Sequence, residues 1–178
     1  MLKLSPRLVI IDMQRAFREE TQWRIPRYDA IVPVINDLIE STPTPPIATR
    51  FVRDPAEDGT WQDYYDCWHQ MRLAPDDDQW DITLGLPENA PVIDKPTFGK
   101  WGPELARLIP AGHEMLLTGV ATDCCVLATA IAAVDAGRSV TVVSDACAAV
   151  NDEVQDRTLA ILALLSPMCR IVKASELG

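Results

Sequence analysis

Short unbroken apolar runs alternate along this chain with longer stretches whose apolar residues recur every three or four positions. Few backbone arrangements satisfy both patterns. RLVIIDM (7–13) is β-branched and has no polar face, so it reads as a strand covered on both sides. The same reading applies to PPIATRFV (45–52), APVIDK (90–95), HEMLLTGV (113–120), SVTVVSDA (139–146) and CRIVKA (169–174). Between them lie helical patterns. YDAIVPVINDLIEST repeats apolar side chains at Ile31, Val34, Ile35, Leu38 and Ile39, with Pro33 expected in its first turn, where proline is tolerated. GPELARLI (102–109), Asp123 to Ala136 with Gly137 as its stop, and NDEVQDRTLAILALL (151–165) supply the others. A helix between successive buried strands provides both the cover and the chain length for a parallel crossover. The expectation is an α/β fold of three α-β-α layers, with an open, Rossmann-like parallel sheet of about six strands. At 178 residues it reads as a single domain spanning 1–178.

The formal charge of −10 disfavours nucleic acid and anionic membranes as partners, because the overall field repels polyanions and no Lys/Arg run overrides it. The longest mostly apolar run, Val126 to Val134, is far short of a membrane span, and the N-terminus does not read as a signal peptide. Five cysteines without a CxxC pair suggest reduced thiols and a cytoplasmic setting. PDDDQWD (75–81) reads as a solvated acidic loop. Residues 53–89 stand apart: Trp61, Tyr64, Tyr65, Trp68 and Trp80 cluster there between charged turns. They are expected either to form a lid or subunit contact, or to pack on the domain.

In open α/β sheets, ligands bind beyond the carboxyl ends of the strands. Three chemically useful positions fall there: Asp12, Lys95 and the pair Cys124–Cys125. Each alone has a plainer explanation, as a turn residue, a solvated lysine or small core side chains. Together they make coherent chemistry. Moving a thiol proton to a carboxylate is uphill by roughly 6 kcal/mol in water. An ammonium about 4 Å away returns on the order of 4 kcal/mol at an effective dielectric near 20. A helix N-terminus adds up to about 2 kcal/mol. Periodicity does not choose between the cysteines, since one residue turns about 100° around a helix and only one can face the site.

LVIIDMQRAF (8–17), VIDKPTFGKW (92–101) and TGVATDCCVLATA (118–130) resemble the three signature segments of the isochorismatase-like cysteine hydrolases, as does AGRSVTVVSDACAA (136–149). The resemblance implies a triad of Asp12, Lys95 and Cys125, with Cys124 as packing. It also implies a cis peptide between Val120 and Ala121, and an oxyanion hole from the N–H groups of Ala121 and Cys125. Lys100 is a rival to Lys95. Pro96 favours Lys95, because it holds the preceding residue extended, as a strand end requires.

The implied activity is metal-independent hydrolysis of a C–N bond in a small amide or carbamoyl compound, through a thioester and without a cofactor. Metal-binding relatives resemble a pattern with histidines after the second strand, whereas His69 and His113 are isolated here. Vinyl ether hydrolysis of the isochorismatase type is the alternative, disfavoured by Cys125. A non-catalytic role or a redox thiol protein using Cys124, Cys125 and Cys147 are others. The substrate wall is sought among Phe17, Trp61 and Trp101, with Trp23, Phe51 and Trp68 as further candidates, and Arg50 or Arg53 for a carboxylate. The family relation implies a small-molecule substrate and a homo-oligomer, dimer or larger.

Overall fold

The computed structural model describes residues 5–177. Its six strands are β1 (Arg7–Ile11), β2 (Ile47–Phe51), β3 (Val92–Lys95), β4 (Glu114–Val120), β5 (Ser139–Ala148) and β6 (Cys169–Val172). All pair in parallel, in the order β3-β2-β1-β4-β5-β6. The central strand β1 buries Leu8 to Ile11 almost completely, as a strand without a polar face must.

The helices are α1 (Arg15–Arg18), α2 (Tyr28–Ser41), α3 (Thr60–Cys67), α4 (Pro103–Leu108), α5 (Leu127–Asp135) and α6 (Asp152–Ala163). The α2 helix begins at Tyr28, which places Pro33 in its interior rather than its first turn. Residue 33 therefore cannot donate the usual i→i−4 bond. Buried Ile31, Ile35 and Leu38 hold the helix to the sheet nonetheless. The helix expected from Asp123 opens differently too. Thr122–Val126 form a π-helical turn, and α5 follows from Leu127. No helix among the described residues is long and apolar enough to cross a membrane.

Two features shape the middle of the sheet. The chain leaves β1 for β2 on one side, and the sheet resumes at β4 on the other, so β1 and β4 flank the point where strand order reverses. That crevice is where this architecture binds ligands. Gly119 pairs with Ile11 there, at φ 106°, and a Cβ on it would lie 2.1 Å from the Ile11 carbonyl oxygen. Only glycine allows the two strands to approach so closely.

Residues 53–89 pack on the domain. Trp61 lies edge-on to Tyr64 with ring centres 5.3 Å apart, and 5.0 Å from Phe98. Glu57 pairs with both Arg53 and Arg72, which closes the segment on itself.

Candidate active site

Asp12 is the first residue beyond β1, and its backbone has φ 48°. That left-handed conformation costs a non-glycine residue about 1–2 kcal/mol, and such strain gathers at functional positions. The side chain is completely buried. Oδ1 accepts a bond from the Thr49 hydroxyl at 2.7 Å, and Oδ2 lies 3.1 Å from Lys100 Nζ. Among the described residues no hydrogen-bond donor is aligned with Oδ2, so a buried acceptor is left over.

Lys100 is buried as completely as Asp12. Its ammonium donates to the Thr97 carbonyl at 2.7 Å and stands 4.6 Å from the centre of the Phe51 ring. A buried lysine is tolerated only when so partnered. Lys95 does not share this position, which corrects the choice made from Pro96. It ends β3, an edge strand two places from β1, and two strand spacings are roughly 10 Å. The chain must turn through Pro96–Gly99 before a lysine can return to Asp12. Lys95 instead reaches toward Gly102, where an added Cβ would meet its Nζ at 2.6 Å.

The cysteines ride on the π-helical turn that follows β4. The Val120–Ala121 peptide is cis. The N–H groups of Cys124 and Val126 both bond the Ala121 carbonyl at 3.1 Å, skipping that of Cys125. Wider turns of this kind recur at functional sites because they re-aim side chains within a helix. Thr129 ties the turn to the Lys100 loop. Its hydroxyl accepts the Lys100 N–H at 2.9 Å and donates to the Cys125 carbonyl at 2.6 Å.

Cys125 is 3% exposed, Cys124 half-buried. A hydrogen bond to Cys124, then burial, then the Asp12 charge hold the Cys125 thiol well above its ordinary pKa, with Lys100 opposing them. The bond from Cys125 lowers that of Cys124, against its own burial. Cys147 belongs elsewhere, with its sulfur 3.7 Å from the Leu117 carbonyl.

Both cysteines and Ala121 border a pocket of about 270 Å³. Phe17, Trp23, Phe51, Tyr64, Trp68 and Phe98 supply its aromatic lining. Phe17 was expected there. Two other expectations are corrected. Trp101 packs under Arg138, 5.5 Å from its guanidinium, and does not reach the pocket. Trp61 stands behind the wall, 6.1 Å from Phe51, and does not border it. Phe98 and Tyr64 were missed. Phe98 lies two residues from Lys100, and Tyr64 falls one helical turn before Trp68, a spacing the sequence did contain. Arg50 and Arg53 are engaged by Asp94 and Glu57.

His113 Nδ1 contacts the Ser5 carbonyl at 2.9 Å, and His69 sits in a short 3₁₀ turn after Trp68. Among the described residues no three His, Cys, Asp or Glu side chains converge to hold a metal ion.

Three solved structures illustrate what the chain is similar to. A cysteine hydrolase from Pseudomonas syringae pv. phaseolicola 1448A superposes with TM-score 0.86 at 21% identity, covering 99% of this chain and 92% of that one. Pyrazinamidase of Pyrococcus horikoshii in complex with zinc gives 0.75 at 23%, covering 96% and 99%. N-carbamoylsarcosine amidase from Thermoplasma acidophilum gives 0.76 at 18%, covering 98% and 99%. At these identities the likeness is one of fold. Among curated proteins none matches significantly. The family model of the Isochorismatase domain matches residues 6–175, nearly the whole length, and the chain belongs to the isochorismatase-like hydrolase family.

Proposed function

We propose that this protein is a cysteine hydrolase cleaving the C–N bond of a small amide or carbamoyl compound, with Cys125 as nucleophile, Asp12 as general base and Lys100 as the supporting cation. The observation that carries it is the buried Asp12–Lys100 pair beyond β1, whose charges both act on the Cys125 thiol. The two amidases of like fold support the same reaction class.

At rest the proton stays on Cys125, whose thiol is held above its usual pKa. As sulfur attacks the carbonyl carbon, Asp12 Oδ2, the acceptor without an aligned donor, takes that proton. Lys100 offsets the negative charge passing through the site and holds the carboxylate in place. The N–H groups of Ala121 and Cys125 receive the oxyanion. Asp12 then returns the proton to nitrogen, which leaves as ammonia or amine, with the acyl group on sulfur. Water loses a proton to Asp12, adds to the thioester and releases the acid, and the proton returns to the thiol. No metal takes part in this scheme. The zinc of the Pyrococcus horikoshii protein has no matching three-residue donor set among the described residues here.

Cys124 is the rival nucleophile, favoured by its greater exposure and lowered pKa. The test measures ammonia release from primary amides and carbamoyl compounds after chelation, beside single variants. Asp12→Asn and Cys125→Ala are expected to lose at least about 1,000-fold in kcat, the scale seen when a member of a nucleophile–base set is removed. Lys100→Ala should fall with them, while Lys95→Ala and Cys124→Ala keep activity within about threefold. Turnover retained by Cys125→Ala and lost in Cys124→Ala would transfer the role to Cys124. Loss on chelation would overturn the metal-free scheme.

A further inference from the structure

Asp12 can serve as a base only if its free oxygen is held toward the thiol, and few neighbours can hold it there. The last torsion of an aspartate is broad and roughly two-fold, so packing alone does not fix the carboxylate plane. Lys100 does not fix it either. Its ammonium lies 3.1 Å from Oδ2, but a compact charge with rotatable donors attracts a carboxylate from many angles.

Thr49 is placed differently. It is completely buried on β2, and its hydroxyl has one proton, which goes to Asp12 Oδ1 at 2.7 Å. The same hydroxyl oxygen accepts the Asp12 N–H at 3.3 Å. The two bonds tie the carboxylate to the left-handed backbone of its own residue, at φ 48°. The donor is neutral, so it occupies Oδ1 without cancelling the charge that Lys100 balances.

The chain on either side of Asp12 is tethered to β2 by other means. Before it, Ile10 pairs with Ala48. After it, the buried Gln14 amide accepts the Phe51 N–H at 2.8 Å and donates to the Phe51 carbonyl at 3.1 Å. What Thr49 adds is direction.

We propose that Thr49 is a positioning residue: it occupies Oδ1 and fixes the carboxylate plane, so that Oδ2 is the oxygen presented to the thiol proton. The inference rests on Asp12 acting as the base of the hydrolase.

The test compares Thr49→Val, Thr49→Ser and Thr118→Val with the parent. Valine keeps the shape of threonine and loses the hydroxyl, whereas serine keeps the hydroxyl and loses the methyl. Thr118 is the control, equally buried, with its hydroxyl bonded to the Val9 carbonyl of β1 at 3.2 Å rather than to Asp12. Ammonia release is followed from acetamide, benzamide and N-carbamoylglycine. Crystal structures of the parent and Thr49→Val record the carboxylate, and Thr49→Ala replaces the valine variant if that does not fold.

Thr49→Val is expected to lower kcat about ten- to a hundredfold, the worth of a hydrogen bond to a charged group, with KM within about threefold. Its carboxylate plane should turn by at least about 30°. Thr49→Ser should bring kcat back to within about threefold of the parent, and Thr118→Val should lower the urea midpoint and keep kcat in that range. A valine variant as fast as the parent, a serine variant as slow as valine, or an equal fall in Thr118→Val would each overturn the role. If the parent turns over none of the probes, the hydrolase reading fails and the crystal structures decide the inference. A turned carboxylate then upholds it, and an unmoved one overturns it in either case.

Discussion

At the scale of single residues, two glycines near strand ends differ sharply in what they tolerate, and only Gly119 touches the strand that carries Asp12. Gly119 has φ 106°, and a Cβ there would lie 2.1 Å from the Ile11 carbonyl oxygen, one residue before Asp12. Gly119→Ala therefore combines a left-handed alanine, about 1–2 kcal/mol, with forced separation of β1 from β4. A loss of at least about 2 kcal/mol in urea unfolding is expected. Gly102 has φ 172°, extended backbone open to any residue, and its added Cβ would meet only the mobile end of Lys95. Gly102→Ala should stay within about 0.5 kcal/mol of the parent. Equal losses from the two substitutions would remove close strand approach as the reason for Gly119.

At the scale of elements, the site is a junction of three pieces of chain that meet only through the sheet. Asp12 comes from the end of β1, the cysteine turn from the end of β4, and Lys100 from the loop after β3. Thr129 on α5 joins two of them by accepting from the Lys100 N–H and donating to the Cys125 carbonyl. Thr129→Val keeps the shape and removes both bonds. It leaves a buried N–H unpaired, which costs about 1–3 kcal/mol. Unfolding free energy should drop by that amount, with kcat lowered more than KM is raised, and Thr129→Ser should restore both. A valine variant as stable and active as the parent would show that the loop and turn hold their places independently.

At the scale of the molecule, many buried groups are stable only while protonated. Burial pushes the Cys169 thiol up to about 11 and the Cys147 thiol higher still. Burial likewise raises Tyr28 and Tyr65 above the ordinary phenol range. Above the unfolded thiol value near 8.5 the unfolded chain releases these protons first, so the folded state binds more of them and stability falls as pH rises. The urea midpoint should be level between pH 7 and 8 and decline from about pH 8.5, each group contributing up to about 1.4 kcal/mol per pH unit within its window. Cys169→Ala should make the decline shallower between about pH 8.5 and 11, the window set by that thiol. A midpoint unchanged to pH 10 would contradict this account of the buried thiols.

What the sequence determined by itself was local. β-branched runs without a polar face specified parallel strands, and because a strand ends where its apolar run ends, Asp12 and the cysteine pair were legible as strand-end residues. The tertiary structure decided what depends on distance across the sheet. VIDKPTFGKW contains two lysines, and the choice between them turns on β3 being an edge strand, which sets Lys95 apart and leaves the following loop to carry Lys100 back to Asp12. Similarly, Trp101 was expected in the wall and Phe98 was not, yet the loop turns Phe98 to the pocket and Trp101 to Arg138. A loop has no period to fix which side chain faces inward; packing against other elements does that, and those neighbours lie tens of residues away in the chain.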